Sequence, residues 1–171
     1  MSRSQEYVLL PVSRTFIAIT LAAAFLLNLQ AWGRMPGVPD FAALVLVFWG
    51  IHQPRRAGIG LAFAMGLLMD VHDATLFGEN ALAYTLLSYF AITIHRRVQW
   101  FPVMKQSAYV LILLVFAQTV QLLVQYVVIG RSPSWWFFLE SLTGAALWPV
   151  LTWLMMVPQR RLGNKDDIRS V

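Results

Sequence analysis

The chain has 171 residues, of which 58% are apolar and only 12% charged, with a mean hydropathy of +0.63. A soluble domain carries about 25% charged residues, so an ordinary soluble enzyme is excluded, and so is a disordered chain, which needs low hydrophobicity. The absence of cysteine excludes disulfides, zinc–thiolate clusters and thiol catalysis, and the net charge of +5 names no partner until its placement is read.

Uncharged stretches locate membrane spans, because a helix needs about 20 apolar residues to cross the hydrocarbon core. Between Arg14 and Arg34 lie 19 uncharged residues, which predict a first span over 15–33. Arg3 and Arg14 ahead of an apolar run resemble a secretory signal. The run ends Asn28-Leu29-Gln30-Ala31-Trp32, without a small-x-small cleavage site, so it reads as an uncleaved helix. From Phe41 to Val71 the chain is apolar except for His52-Gln53-Pro54-Arg55-Arg56 in its middle and Asp70 near its end. Pro54 disfavours helix at Gln53, which predicts a break there. Two thin spans, 40–53 and 57–71, are the preferred reading, and a re-entrant hairpin packed inside the bundle is the alternative. A run of 16 uncharged residues predicts a fourth span over 80–95, a run of 25 a fifth over 106–130, and the 19 between Glu140 and Arg160 a sixth over 136–157. Pro149 should kink the sixth. The expectation is an all-α polytopic membrane protein, one bundle of six transmembrane helices over residues 1–171 with short tails 1–14 and 158–171.

Orientation follows from Lys and Arg. With the N-terminus in the cytoplasm, eleven of the 13 basic residues fall inside, and only Arg34 and Arg131 outside. Asp40, Asp70, Asp73, Glu79 and Glu140 lie at the outer face. Both termini are therefore expected in the cytoplasm. Topology and attraction to anionic inner-leaflet lipids explain the positive charge, so no nucleic acid need be invoked. Trp32 and Trp135-Trp136 suit an outer aromatic belt and Trp100-Phe101 an inner one. The loops are too short to hold a separate catalytic domain.

Asp70 is the most informative residue. Gly58, Ala62 and Gly66 precede it at four-residue spacing, on one broad helix face that small residues open to close approach by another helix. Asp70 either orders the turn after it or meets a partner or ligand. Asp70, His72, Asp73 and Glu79 have the chemistry of a divalent-metal site but no recognised spacing, so a solvated acidic loop is preferred and no metal is assigned. His52 and His95 adjoin arginines and read as interfacial packing. Gln118, Gln121 and Gln125 form a polar stripe that bonds within the bundle, faces a partner's helix or lines a polar path. Glu140 either snorkels or pairs with Arg131. No GxSxG elbow, HExxH pair or phosphate loop is present, so neither an enzyme nor a cofactor is expected.

Pro39-Asp40-Phe41, Pro54, Gly58, Gly60, Gly66-Leu67-Leu68-Met69-Asp70-Val71, Leu76-Phe77-Gly78 and Ala81-Leu82-Ala83-Tyr84 together resemble the rod shape-determining MreD family. The resemblance makes Pro39, Asp40, Gly66, Asp70 and Gly78 signature or structural positions and carries over no catalytic residue. It implies a small inner-membrane component of the bacterial elongation machinery. It also implies a fold similar to the substrate-binding components of vitamin transporters. The partners implied are the bitopic protein MreC, the actin-like MreB filament (directly or not), and the RodA glycosyltransferase with its class B penicillin-binding protein. The expected role is an adaptor that regulates cell shape by positioning a bitopic partner's helix, through the Gly58–Ala62–Gly66 face and the Gln118–Gln121–Gln125 stripe. A small-molecule binder with a pocket near Asp70, Glu79 and Tyr84 is the alternative, and an ion path the third.

Overall fold

The computed structural model describes residues 13–30, 37–130 and 135–166. Among the described residues six α-helices follow one another: α1 (Arg14–Leu29), α2 (Phe41–His52), α3 (Ile59–Asp73), α4 (Glu79–Gln99), α5 (Val103–Ile129) and α6 (Leu139–Asp166), with a 3-10 turn over Trp135–Phe138 leading into the last. Among the described residues there is no strand.

Local chemistry sets most boundaries. The Ser13 hydroxyl accepts from Phe16 N at 3.2 Å and opens α1, and the Asp40 carboxylate accepts from Ala43 N at 3.0 Å and opens α2. α2 ends at His52, one residue before the Gln53-Pro54 pair, and α5 ends on Gly130 in the left-handed conformation, φ 70°. α6 continues through Pro149 and on to Asp166, beyond the 157 expected from charge. Charge marks where a helix leaves the apolar layer. Gln159-Arg160-Arg161-Leu162 are ordinary helix formers, so the helix itself does not stop there.

The core is built around α2. Every residue from Ala42 to Ile51 is buried, which fits a helix apolar all round. From α1, Phe16 meets the Trp49 ring edge-on with centroids 5.8 Å apart, and Thr20 Oγ1 accepts the Trp49 indole N–H at 2.9 Å. From α6, Trp148 lies 6.1 Å from Phe48. α3 packs against α4, and Gly66 permits it: a Cβ there would sit 2.4 Å from Ala81 Cα.

Successive helices alternate in direction. Asn28 at the end of α1, Asp40 before α2, Met69 and Asp70 late in α3, Asn80 and Tyr84 early in α4, Gln121 late in α5 and Ser141 early in α6 gather at one end. At the opposite end Gln99 Nε2 donates to Ile51 O at 2.6 Å, so α2 runs down from the first end to the level of the foot of α4. The exterior carries large apolar side chains, among them Leu26, Phe63, Leu68, Val71, Ile112, Leu123, Val127 and Trp153. So much exposed apolar surface is foreign to a soluble monomer and natural to a lipid-facing one. Among the described residues, one helix is both long and apolar enough to cross a membrane, over Val103–Val128, while α1 and α2 are apolar but shorter. α4 has 21 residues but carries Asn80, Ser88 and its terminal arginines within them.

Candidate functional site

At the gathered end, buried and half-buried polar residues meet in three linked groups. The first is centred on Asp70, 2% exposed in the last turns of α3. Its carboxylate accepts from Asn80 N at 2.7 Å, Gly78 N at 2.8 Å and Ala81 N at 3.4 Å, and from Thr75 Oγ1 at 3.4 Å. These amides begin α4, whose cap residue Gly78 has no side chain to satisfy them. The intervening turn requires left-handed backbone at Ala74 (φ 50°) and Gly78 (φ 101°), which glycine adopts freely. One helix thus supplies a negative charge to the positive end of the next.

The second group joins α1, α2 and α4. Asn28 Nδ2 donates to Asp40 Oδ1 at 2.8 Å, and its Oδ1 accepts from Phe41 N at 3.0 Å. The Tyr84 hydroxyl donates to the other Asp40 oxygen at 2.5 Å. Asp40 therefore caps its own helix while tying down both neighbours.

The third group is the glutamine stripe of α5. Gln118 Nε2 donates to Phe137 O at 2.9 Å and to Glu140 Oε2 at 3.4 Å, and its Oε1 accepts from the Ser141 hydroxyl. Gln121 donates to Asn80 Oδ1 at 2.7 Å, and Gln125 to Glu79 Oε1 at 2.6 Å. All three side chains find partners within this chain, on α4, the 3-10 turn or α6.

Between the groups lies a cavity of about 570 Å³, lined by the three glutamines together with Pro39, Asp40, Asp73, Glu79, Tyr84 and Glu140. Among the described residues no three histidine or acidic side chains converge as a metal site. His72 Nδ1 lies 2.8 Å from Asp73, and the Asp70 oxygens already serve backbone amides. Arg131, considered for Glu140, lies outside the described residues, as do Arg3, Arg34 and Trp32. Gly58 opens α3 with free space around it, while Ala62 is fully buried and Gly66 touches α4, so the small-residue face divides between solvent-side and internal positions. His52 stacks on Phe48 and approaches its carbonyl at 2.9 Å, and His95 approaches Ile92 O, both at the opposite end.

Sequence reasoning missed Asn28, Asn80 and Ser141. Asn28 enters the sequence reading only as part of the Asn28-Leu29-Gln30-Ala31-Trp32 stretch that lacks a cleavage site. The signal available was an amide inside the expected 15–33 span, where burial demands a partner.

The family model described as rod shape-determining protein MreD matches residues 2–157. A curated Rod shape-determining protein MreD from Haemophilus influenzae (strain ATCC 51907 / DSM 11121 / KW20 / Rd) is 25% identical over 141 residues, covering 81% of this chain and 87% of the relative. No solved structure matches, and the expected likeness to vitamin-transporter substrate components gains no support from that comparison. With its family model matched over nearly the whole length, the chain belongs to the MreD family of rod shape-determining proteins.

Proposed function

We propose that this rod shape-determining component is a non-enzymatic, multi-pass protein of the bacterial inner membrane, with both termini in the cytoplasm, acting as an adaptor for lateral peptidoglycan synthesis. The family match over residues 2–157 carries the reading. The partner is a bitopic MreC-like protein whose single helix lies against the bundle. Through it the bundle is linked to the MreB filament and to RodA with its class B penicillin-binding protein. The lipid-facing exterior supports a mode of action by helix contact. The internal commitment of Gly66, Asp70, Gln118, Gln121 and Gln125 supports an indirect role for these residues: they fasten the helices into the shape that the partner reads. Basic residues at the end opposite the cavity meet the anionic inner leaflet.

The test is affinity purification in mild detergent from the native host, with associated proteins identified by mass spectrometry. Gly66→Leu and Gln121→Leu should each lower recovery of the bitopic partner at equal expression. Unchanged recovery with both variants would remove the adaptor reading.

A second reading is a small-molecule binder with its pocket near Asp70, Glu79 and Tyr84; the cavity is lined by Glu79 and Tyr84, whereas the Asp70 carboxylate is occupied by the amides of α4. Ligand-dependent thermal stabilisation of the purified protein, together with recovery of a transporter ATPase and no wall-synthesis proteins, would support it over the first.

A further inference from the structure

A second recess lies at the end of the bundle away from the polar cavity. It has a volume of about 450 Å³ and is lined by Arg96, Arg97, Trp100, Phe101 and Tyr109, where α4 turns into α5. Both arginines are exposed, and neither pairs with a carboxylate among the described residues. The floor is preorganised: Phe101 and Tyr109 stack with centroids 5.6 Å apart, and Lys105 Nζ stands 6.0 Å over the Phe101 ring. Trp100 is 89% exposed beside them. Three cations around an aromatic floor, with no acid among the described residues paired to them, form a site for an anion that also carries apolar mass.

Exposed apolar side chains lead away from the recess on both helices. On α4, Phe90, Thr93 and Arg97 recur at helical spacing along one face, and on the antiparallel α5, Phe116, Ile112 and Tyr109 do the same. The two rows are brought together by Phe90 and Phe116, whose rings meet edge-on at 5.0 Å. Phe90, Ile112 and Phe116 all remain exposed. The track from the Arg97 level to the Phe90–Phe116 pair is roughly 10 Å long at helical rise. A phosphate held by the guanidiniums would thus have the first part of its hydrocarbon chain directed along exposed apolar and aromatic side chains.

We infer that the α4–α5 groove is a binding site for an anionic phospholipid, with the headgroup phosphate on Arg96 and Arg97 and an acyl chain along Thr93, Ile112 and the Phe90–Phe116 pair. The inference rests on the bilayer placement proposed above, which sets this end against the inner leaflet. Arginine presents a planar fork suited to phosphate oxygens, and two adjacent ones favour a net negative headgroup over a zwitterionic one.

Native mass spectrometry of the full chain in detergent tests the site with phosphatidylglycerol and phosphatidylcholine of identical acyl chains. Phosphatidylglycerol should be retained at least about tenfold more tightly, the scale expected when two surface cations meet an anionic headgroup. The double variant R96Q/R97Q should abolish that preference while keeping the thermal midpoint of the unaltered protein. R96K/R97K should keep part of the preference. Ile112→Ser should weaken both lipids alike. Equal retention of the two lipids, or a preference that survives R96Q/R97Q, would overturn the site. Displacement of the lipid by an equal concentration of glycerol phosphate would overturn the lipid assignment in favour of a soluble phosphate. Labelling of Lys105→Cys by an impermeant maleimide reports the bilayer placement separately. Labelling from the outer side would defeat that placement whatever the lipid result, and inside-only labelling with no lipid preference would defeat this site alone.

Discussion

Because Gly78 brings no side chain, the first turn of α4 would leave its N–H groups bare in an apolar setting, and Asp70 reaches across from α3 to accept three of them. A buried donor left unanswered costs about 1–3 kcal/mol. Asp70→Asn keeps the size but turns half of the acceptor into a donor facing those amides. It should lower stability by about 2 kcal/mol, read as a lower thermal midpoint of the detergent-solubilised protein. Gly78→Ala has open space around the new methyl but must hold φ at 101°, so its cost is conformational, about 1–2 kcal/mol. Gly66→Ala fails for the opposite reason. Its Cβ would sit 2.4 Å from Ala81 Cα and 2.6 Å from Asn80 O, backbone atoms that cannot swing aside. Overpacking of this kind costs about 1–3 kcal/mol. The same thermal scan should therefore place Gly66→Ala well below the parent, although the substitution adds one methyl group.

At the scale of elements, α2 shows how a helix can be short and still organise a bundle. It contributes ten consecutive buried residues, and the indole N–H of its Trp49 is answered by Thr20 on α1. Thr20→Val removes that acceptor without changing volume and should cost about 1 kcal/mol, seen as a small drop in the unfolding midpoint. The breaks between elements were legible in the residues. Gln53-Pro54 ends α2, the charge-free run from 106 to 130 stops at the Gly130 cap of α5, and Asp40 precedes Phe41 as a cap should. The partners of the glutamines were not. Spacing at i, i+3 and i+7 fixes a shared face but says nothing about which helix stands opposite. The amides proved to reach three different elements, and one of their acceptors, Asn80, had no periodic signal of its own. The groove between α4 and α5 was hidden for a similar reason, since Phe90 and Phe116 become neighbours only through an antiparallel pairing.

At the scale of the molecule, the buried acids and the glutamine stripe gather at one end, the described basic residues lie mostly at the other, and apolar side chains face outward, an arrangement that water would not select. Composition alone announced it, since a chain with 12% charged residues cannot cover its surface with them. The cysteine-free chain permits a direct test of whether α2 and α3 cross the bilayer. With both crossing, Phe77→Cys should react with an impermeant maleimide in intact spheroplasts and Arg55→Cys only after permeabilisation. Reaction of both from the same side would make α2 and α3 a re-entrant hairpin. If they do cross, unequal helix lengths have a mechanical consequence. α3 has 15 residues and rises about 22 Å, while the apolar stretch of α5, 26 residues long, rises about 39 Å. The hydrocarbon layer is about 30 Å thick, and lipids next to a short helix compress to cover it. Because Phe63, Leu68 and Val71 on α3 face outward, that compression falls on the protein's perimeter and on one flank. Such a wedge of thinned bilayer lowers the cost of placing another short span beside it, so hydrophobic mismatch itself would recruit and orient neighbours along the α3 flank.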